Sequence, residues 1–109
     1  MKLLTAIVQG DDAPILLDVL TKRGYRATRI NTAGGFLKKS NATLLLGIDE
    51  EQIDEVLETI RTNCQRRLEW ANPAPIGPGL DDFLLVQPIE VEVGGATIFI
   101  QDVEQFVRL

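Results

Sequence analysis

Residues 43–64 read TLLLGIDEEQIDEVLETIRTNC, and this stretch decides the fold. Thr43 to Ile48 is a short apolar run, interrupted by Gly47, of the kind that forms a strand in a sheet. Asp49 then stands where a helix N-cap belongs, and Gln52 three residues on completes a capping box. Ile53, Val56, Leu57, Ile60 and Cys64 follow at helical spacing along one face. Glu50, Glu51, Asp54, Glu55 and Glu58 fill the other positions, a solvated acidic half that suits the positive end of the helix dipole.

The segment before it has the same order. Residues 2–8 are apolar at nearly every position and read as a central strand. Asp11 or Asp12 caps a helix with Pro14 in its first turn, Ile15, Leu16, Val19 and Leu20 form its buried stripe, and Gly24 stops it. Residues 25–32 alternate loosely as a second strand, and the polar loop Ala33 to Asn41 leads back to the third. On the far side, Pro73, Pro75, Pro78, Gly77 and Gly79 erase periodicity over 65–83. This predicts a long loop, functional or packed on a partner, with Trp70 as its anchor. Residues 84–93 alternate, Gly94-Gly95 reads as a two-residue hairpin turn, and Ala96 to Gln101 returns as the partner strand.

The expected fold class is α+β: a ferredoxin-like βαββαβ sandwich with an extra C-terminal β-hairpin strand, one domain over 1–109. Two helices cannot cover both faces of a five-stranded sheet, so oligomerisation is expected to cover the other.

Composition removes several function classes. The chain has no histidine and one cysteine. That leaves no Ser-His-Asp or Cys-His nucleophile, no His-ligated metal and no disulfide framework. Cys64 reads as plain core, and the 49–58 carboxylates lack the glycine-bearing loop of a calcium site. No apolar run approaches the ~20 residues of a membrane span. The N-terminal apolar stretch ends in Gln9 and Asp11-Asp12 without a small-residue cleavage site. A cytoplasmic protein without cofactor or catalytic residue is expected.

Charge is unevenly placed. The net charge is −5, yet no acidic residue falls between Asp18 and Asp49, where Lys22, Arg23, Arg26, Arg29, Lys38 and Lys39 lie. A basic island in an acidic chain fits a local anion site or a solvated edge, and argues against binding a nucleic acid polymer or membrane. The Gly34-Gly35-Phe36-Leu37 loop is the best ligand candidate. Adjacent glycines admit close approach to backbone N–H groups, and Phe36 can stack on a base. Arg26 and Arg29 can meet phosphate, and Thr28 and Asn41 offer short hydrogen-bonding groups, Asn41 with the donor–acceptor pair that reads an adenine edge. The same residues also fit a plain turn with Phe36 in the core.

The ordered set Lys2-Leu3, Ala6-Ile7-Val8-Gln9, Arg26-Ala27-Thr28, Gly34-Gly35-Phe36-Leu37 with Asn41, and Val91-Glu92-Val93-Gly94-Gly95-Ala96-Thr97-Ile98-Phe99 resembles the cyclic-di-AMP receptor family along essentially the whole chain. The resemblance implies a homotrimer of ferredoxin-like subunits, similar to PII signalling proteins, with cyclic-di-AMP in the clefts between subunits and an unidentified downstream protein partner. It implies that Phe36 stacks on an adenine, with Leu37, Gly35 and Gly47 shaping the pocket. The same resemblance implies that Thr28 and Asn41 hydrogen-bond the nucleotide, that Arg26 serves the phosphate–ribose ring, and that Phe99 lines the site. Gly24 stands where relatives can have Asn, and Arg108 where they can have Gln, adding positive charge at the site. Alternatives of the same fold are a sensor of ATP or another anionic metabolite, and a structural trimer without nucleotide binding.

Overall fold

The computed structural model describes residues 1–32, 41–71 and 89–109. Among them are two helices and six strands: β1 (Lys2–Gln9), α1 (Ala13–Lys22), β2 (Ala27–Thr32), β3 (Asn41–Ile48), α2 (Ile53–Asn63), β4 (Arg67–Ala71), β5 (Ile89–Val93) and β6 (Ala96–Asp102). Short 3₁₀ turns, Gly10–Asp12 and Glu50–Gln52, lead into the helices. The main sheet has the order β2-β3-β1-β6 with antiparallel neighbours throughout, and β4 and β5 form a separate antiparallel ribbon.

Alternation along the central strands separates the two faces of the sheet. Leu4, Ala6 and Val8 of β1 and Ala42, Leu44, Leu46 and Ile48 of β3 are buried, meeting Ala13, Leu16 and Leu20 of α1 and Val56 and Ile60 of α2, with Cys64 just beyond it. Both helices therefore cover one face. The second helix is built as its sequence directs: the Asp49 N–H donates to Gln52 Oε1 at 2.9 Å, closing the capping box. The Tyr25 hydroxyl donates to Glu55 Oε2 at 2.7 Å and links the start of β2 to α2.

The α+β sandwich is as expected, but five local readings are corrected. First, β5 and β6 are not partners across a hairpin: β5 pairs with β4, and β6 crosses to pair with β1. Gly94-Gly95 is the point where the chain changes sheets. Its alternating flanks signal two strands equally well whether or not they pair. Second, β4 occupies residues assigned to the long loop. The sequence Arg67-Leu68-Glu69-Trp70-Ala71 does alternate, but the prolines after it hide a five-residue strand; Trp70 on it is 70% exposed. Third, Asp12 precedes α1 without capping it through its side chain. Its carboxylate is taken by Arg67. Fourth, Ile15 is exposed; the inward stripe of α1 is Ala13, Leu16 and Leu20. Fifth, third-strand pairing begins at Asn41 and runs through Gly47 without a break.

Candidate functional site

The sheet face turned away from the helices carries Thr28, Asn41, Gly47 and Phe99 among the sequence-predicted residues. Thr28 on β2 pairs with Leu45, Leu45 with Thr5, and Thr5 with Phe99 on β6. Paired residues project to the same side, so this row crosses all four strands. A second row runs from Gly47 through Leu3 to Gln101. Ile30 and Phe99 are 45% and 55% exposed on this face, an apolar surface with no helix over it among the described residues.

The predicted residues are not gathered at one point of this chain. Thr28 and Phe99 are three strand spacings apart, roughly 14 Å, on opposite edge strands. Arg26 is exposed just ahead of β2, Gly47 near the end of β3, and Arg108 in the segment after β6. Asn41 opens β3 at the other end of the sheet. Gly35, Phe36 and Leu37 lie outside the described residues. The basic island is partly engaged: Lys22 pairs with Asp18 at 2.9 Å and Arg23 Nη1 donates to Thr59 Oγ1.

A cleft of about 480 Å³ opens at the Asn41 end, where the ribbon leaves the sheet. Ile7, Gln9, Asn41, Thr97, Gly94 and Arg66 are among its lining. The crossing is tightly held. Gly94 N–H donates to Gln9 Oε1 at 2.6 Å, and Gly95 N–H donates to the Cys64 carbonyl at 2.6 Å. Gly94 adopts φ +85°, and a Cβ there would lie 2.1 Å from the Gln65 carbonyl oxygen, so side chains are excluded by conformation and by space. Beneath it Arg67 Nη2 donates to Asp12 Oδ1 at 2.9 Å and Nη1 to the Gln65 carbonyl at 3.0 Å. The Asp12 hydrogen bond holds the Arg67 guanidinium more firmly charged than usual. A second groove, about 400 Å³, runs between α2 and β6 past Leu57, Cys64 and Ile98. Burial, then the Asp12 carboxylate, pushes the Cys64 thiol up to about 11, making it a poor nucleophile.

Sequence reasoning missed Gln9, Arg66, Arg67 and Thr97 as parts of this cleft and its support. Gln9 had a visible signal, as the polar residue closing an apolar strand. Arg66 and Arg67 had none, because their roles depend on where the ribbon turns. Among the described residues, no group of three or more His, Cys, Asp or Glu is placed to hold a metal ion, and no helix is long and apolar enough to cross a membrane.

Among the described residues, two helices lie on one face of a four-stranded antiparallel sheet with a two-stranded ribbon beside it, which defines an α+β protein of the PII-like, ferredoxin-like class. The cyclic-di-AMP receptor family model matches residues 1–109, and the chain belongs to that family. Among solved structures, the chain is similar to a functionally unknown protein from Pediococcus pentosaceus. The TM-score is 0.74 at 41% identity, over 99% of this chain and 96% of that one.

Proposed function

We propose that the protein is a non-catalytic cytoplasmic sensor, a single domain over 1–109, that binds cyclic-di-AMP between the subunits of a homotrimer. The observation that carries this reading is the placement of Thr28 and Phe99. They share one uncovered face but sit at opposite edges of the sheet. A compact ligand reaches both when the β6 edge of one subunit meets the β2 edge of the next. The apolar residues of that face, Ile30 and Phe99, then find cover.

In this reading Phe36 and Phe99 stack on adenines, Thr28 and Asn41 hydrogen-bond the nucleotide, and Arg26 and Arg108 meet the phosphodiester ring. Gly35, Leu37 and Gly47 shape the pocket. Binding rearranges the loops at the site, and a downstream protein reads the new surface. Such a switch requires only that the ligand prefer one of two arrangements.

Isothermal titration with cyclic-di-AMP tests the assignment, with cyclic-di-GMP and the Phe36→Ala variant as controls. The expected result is micromolar or tighter binding, near one ligand per subunit, weakened in the variant. Absence of heat and of thermal shift at millimolar ligand overturns it, and a panel of ATP and other anionic metabolites then follows. Sedimentation equilibrium tests the trimer.

A further inference from the structure

Gln9 closes β1 and is 8% exposed. Its Oε1 accepts the Gly94 N–H at 2.6 Å, which fixes the amide orientation, since an NH₂ in that place would oppose donor to donor. The other end, Nε2, is buried and meets no hydrogen-bond partner among the described residues. Buried donors are nearly always paired, because removing an N–H from water without replacing its bond is unfavourable.

The surroundings say what the vacant donor is for. Gln9 is the register partner of Asn41 across the β1–β3 ladder, and both line the 480 Å³ cleft with Thr97, Gly94 and Arg66. Asn41 is a ligand residue in the function proposed above, and the inference rests on that reading. Directly paired residues of adjacent strands have Cβ atoms about 5 Å apart, so a group that reaches one of these carboxamides is within reach of the other.

We infer that Gln9 is a further ligand-binding residue: Nε2 donates to a hydrogen-bond acceptor of the bound dinucleotide while Oε1 keeps the Gly94 N–H. One side chain then touches both the ligand and the crossing from which the β4–β5 ribbon springs. A purine ring nitrogen and a phosphodiester oxygen are both acceptors of the required kind. Ligand occupancy orders the Gln9 amide, and the ordered amide holds Gly94 in place, so the cleft is coupled to the ribbon through a single residue.

The test is Gln9→Glu, which keeps an acceptor for Gly94 and removes the donor. Wild-type, Gln9→Glu, Gln9→Met and Phe36→Ala proteins are titrated with cyclic-di-AMP, with melting temperatures taken in parallel. The expected result is at least a tenfold loss of affinity in Gln9→Glu. Gln9→Met, of similar length and without polar atoms, is expected to lose at least as much, and it carries the test if the buried carboxylate prevents folding. Hydrogen exchange of the wild-type Gly94 amide is expected to slow further on ligand binding. Either Gln9 variant binding within twofold of wild type overturns the inference, and so does Gly94 exchange that ignores the ligand. Should Gln9 variants bind normally while Phe36→Ala does not, the receptor reading stands and the Gln9 role falls. Should wild type not bind, both fall. A phosphorothioate analogue separates the acceptors: an unchanged Gln9→Glu penalty places the contact on the base, a diminished one on the phosphodiester, and either supports the donor role.

Discussion

Arg67 donates through Nη2 to Asp12 Oδ1 at 2.9 Å, across 55 positions of sequence, and fastens the first residue of β4 to the turn before α1. Asp12 is buried, so its carboxylate depends on that guanidinium for compensation. Arg67→Met is expected to lower the urea midpoint more than Asp12→Asn does. The Arg67 variant strands a buried anion, whereas the Asp12 variant leaves a neutral amide that hydrogen-bonds locally. The double variant is expected to be more stable than the sum of the singles predicts, and a double-mutant cycle measures the difference.

Glycines 94 and 24 share a positive φ but not an environment. Gly94→Ala meets the Gln65 carbonyl at 2.1 Å as well as a φ of +85°. Clash and strain together are expected to cost about 3–5 kcal/mol, enough to cripple folding. Gly24 has φ +89° and open space where its Cβ would stand. Gly24→Ala is expected to cost roughly 1 kcal/mol, and Gly24→Asn less, since Asn tolerates the left-handed region. Chemical denaturation of the three variants checks the order.

Glycine and asparagine both accept the conformation that ends α1, so Gly24→Asn is a small change for the backbone. This level of the fold was legible because it is local. The capping box at Asp49, the helix stripe ending at Cys64 and the apolar third strand each depend on residues within a few positions. The pairing of β6 with β1 does not. It joins residues about 95 positions apart, and Gly94-Gly95 gives the same signal for a hairpin as for a change of sheet.

The candidate site divides in the same way. Residue types at Arg26, Thr28 and Asn41 could be read as hydrogen-bonding and anion-meeting groups directly from the chain. Their separation could not, because it follows from strand order, and strand order places Thr28 and Phe99 on opposite edges. Phe99 itself carried no local signal and entered through family resemblance. Gln9 was visible as a polar residue in an apolar strand, but its two amide ends acquire meaning only when Gly94 arrives from the other end of the chain.

Cys64 provides a pH test of the packed groove. Its thiol is raised from an ordinary 9.0 to about 11, chiefly by burial. The folded protein therefore holds its proton longer than the unfolded chain. The stabilisation is complete below pH 9 and is lost as pH rises from 9 through 11. Tyr25, raised by burial and by its bond to Glu55, acts in the same sense above its ordinary 10.0. Melting temperature is expected to fall with pH across this window, less steeply in Cys64→Ala after its own offset is subtracted. At pH 8 roughly one thiol in a thousand is ionised. Disulfide-exchange labelling of the native protein is thus expected to be slow and to become rapid in denaturant.

Thr28 and Phe99 permit a decisive test of where the proposed ligand sits. Phe99 is more than half exposed in the single subunit, so Phe99→Ala is expected to cost the subunit's own fold under about 1 kcal/mol. Loss of a stacked base contact is worth about 1–3 kcal/mol, a fall of roughly 5- to 150-fold in affinity. Thr28→Val removes a hydroxyl from the opposite edge strand and is expected to weaken binding with equally little effect on folding. If each site takes Thr28 from one subunit and Phe99 from the next, trimers co-assembled from the two variants contain some interfaces with both residues native. Random mixing in equal amounts puts native residues on both sides of roughly a quarter of the interfaces in a cyclic assembly. Titration of the mixture is then expected to recover about that share of high-affinity sites, although neither parent has any. A mixture that binds no better than its parents places both residues in a site within one chain, and the intersubunit cleft is excluded.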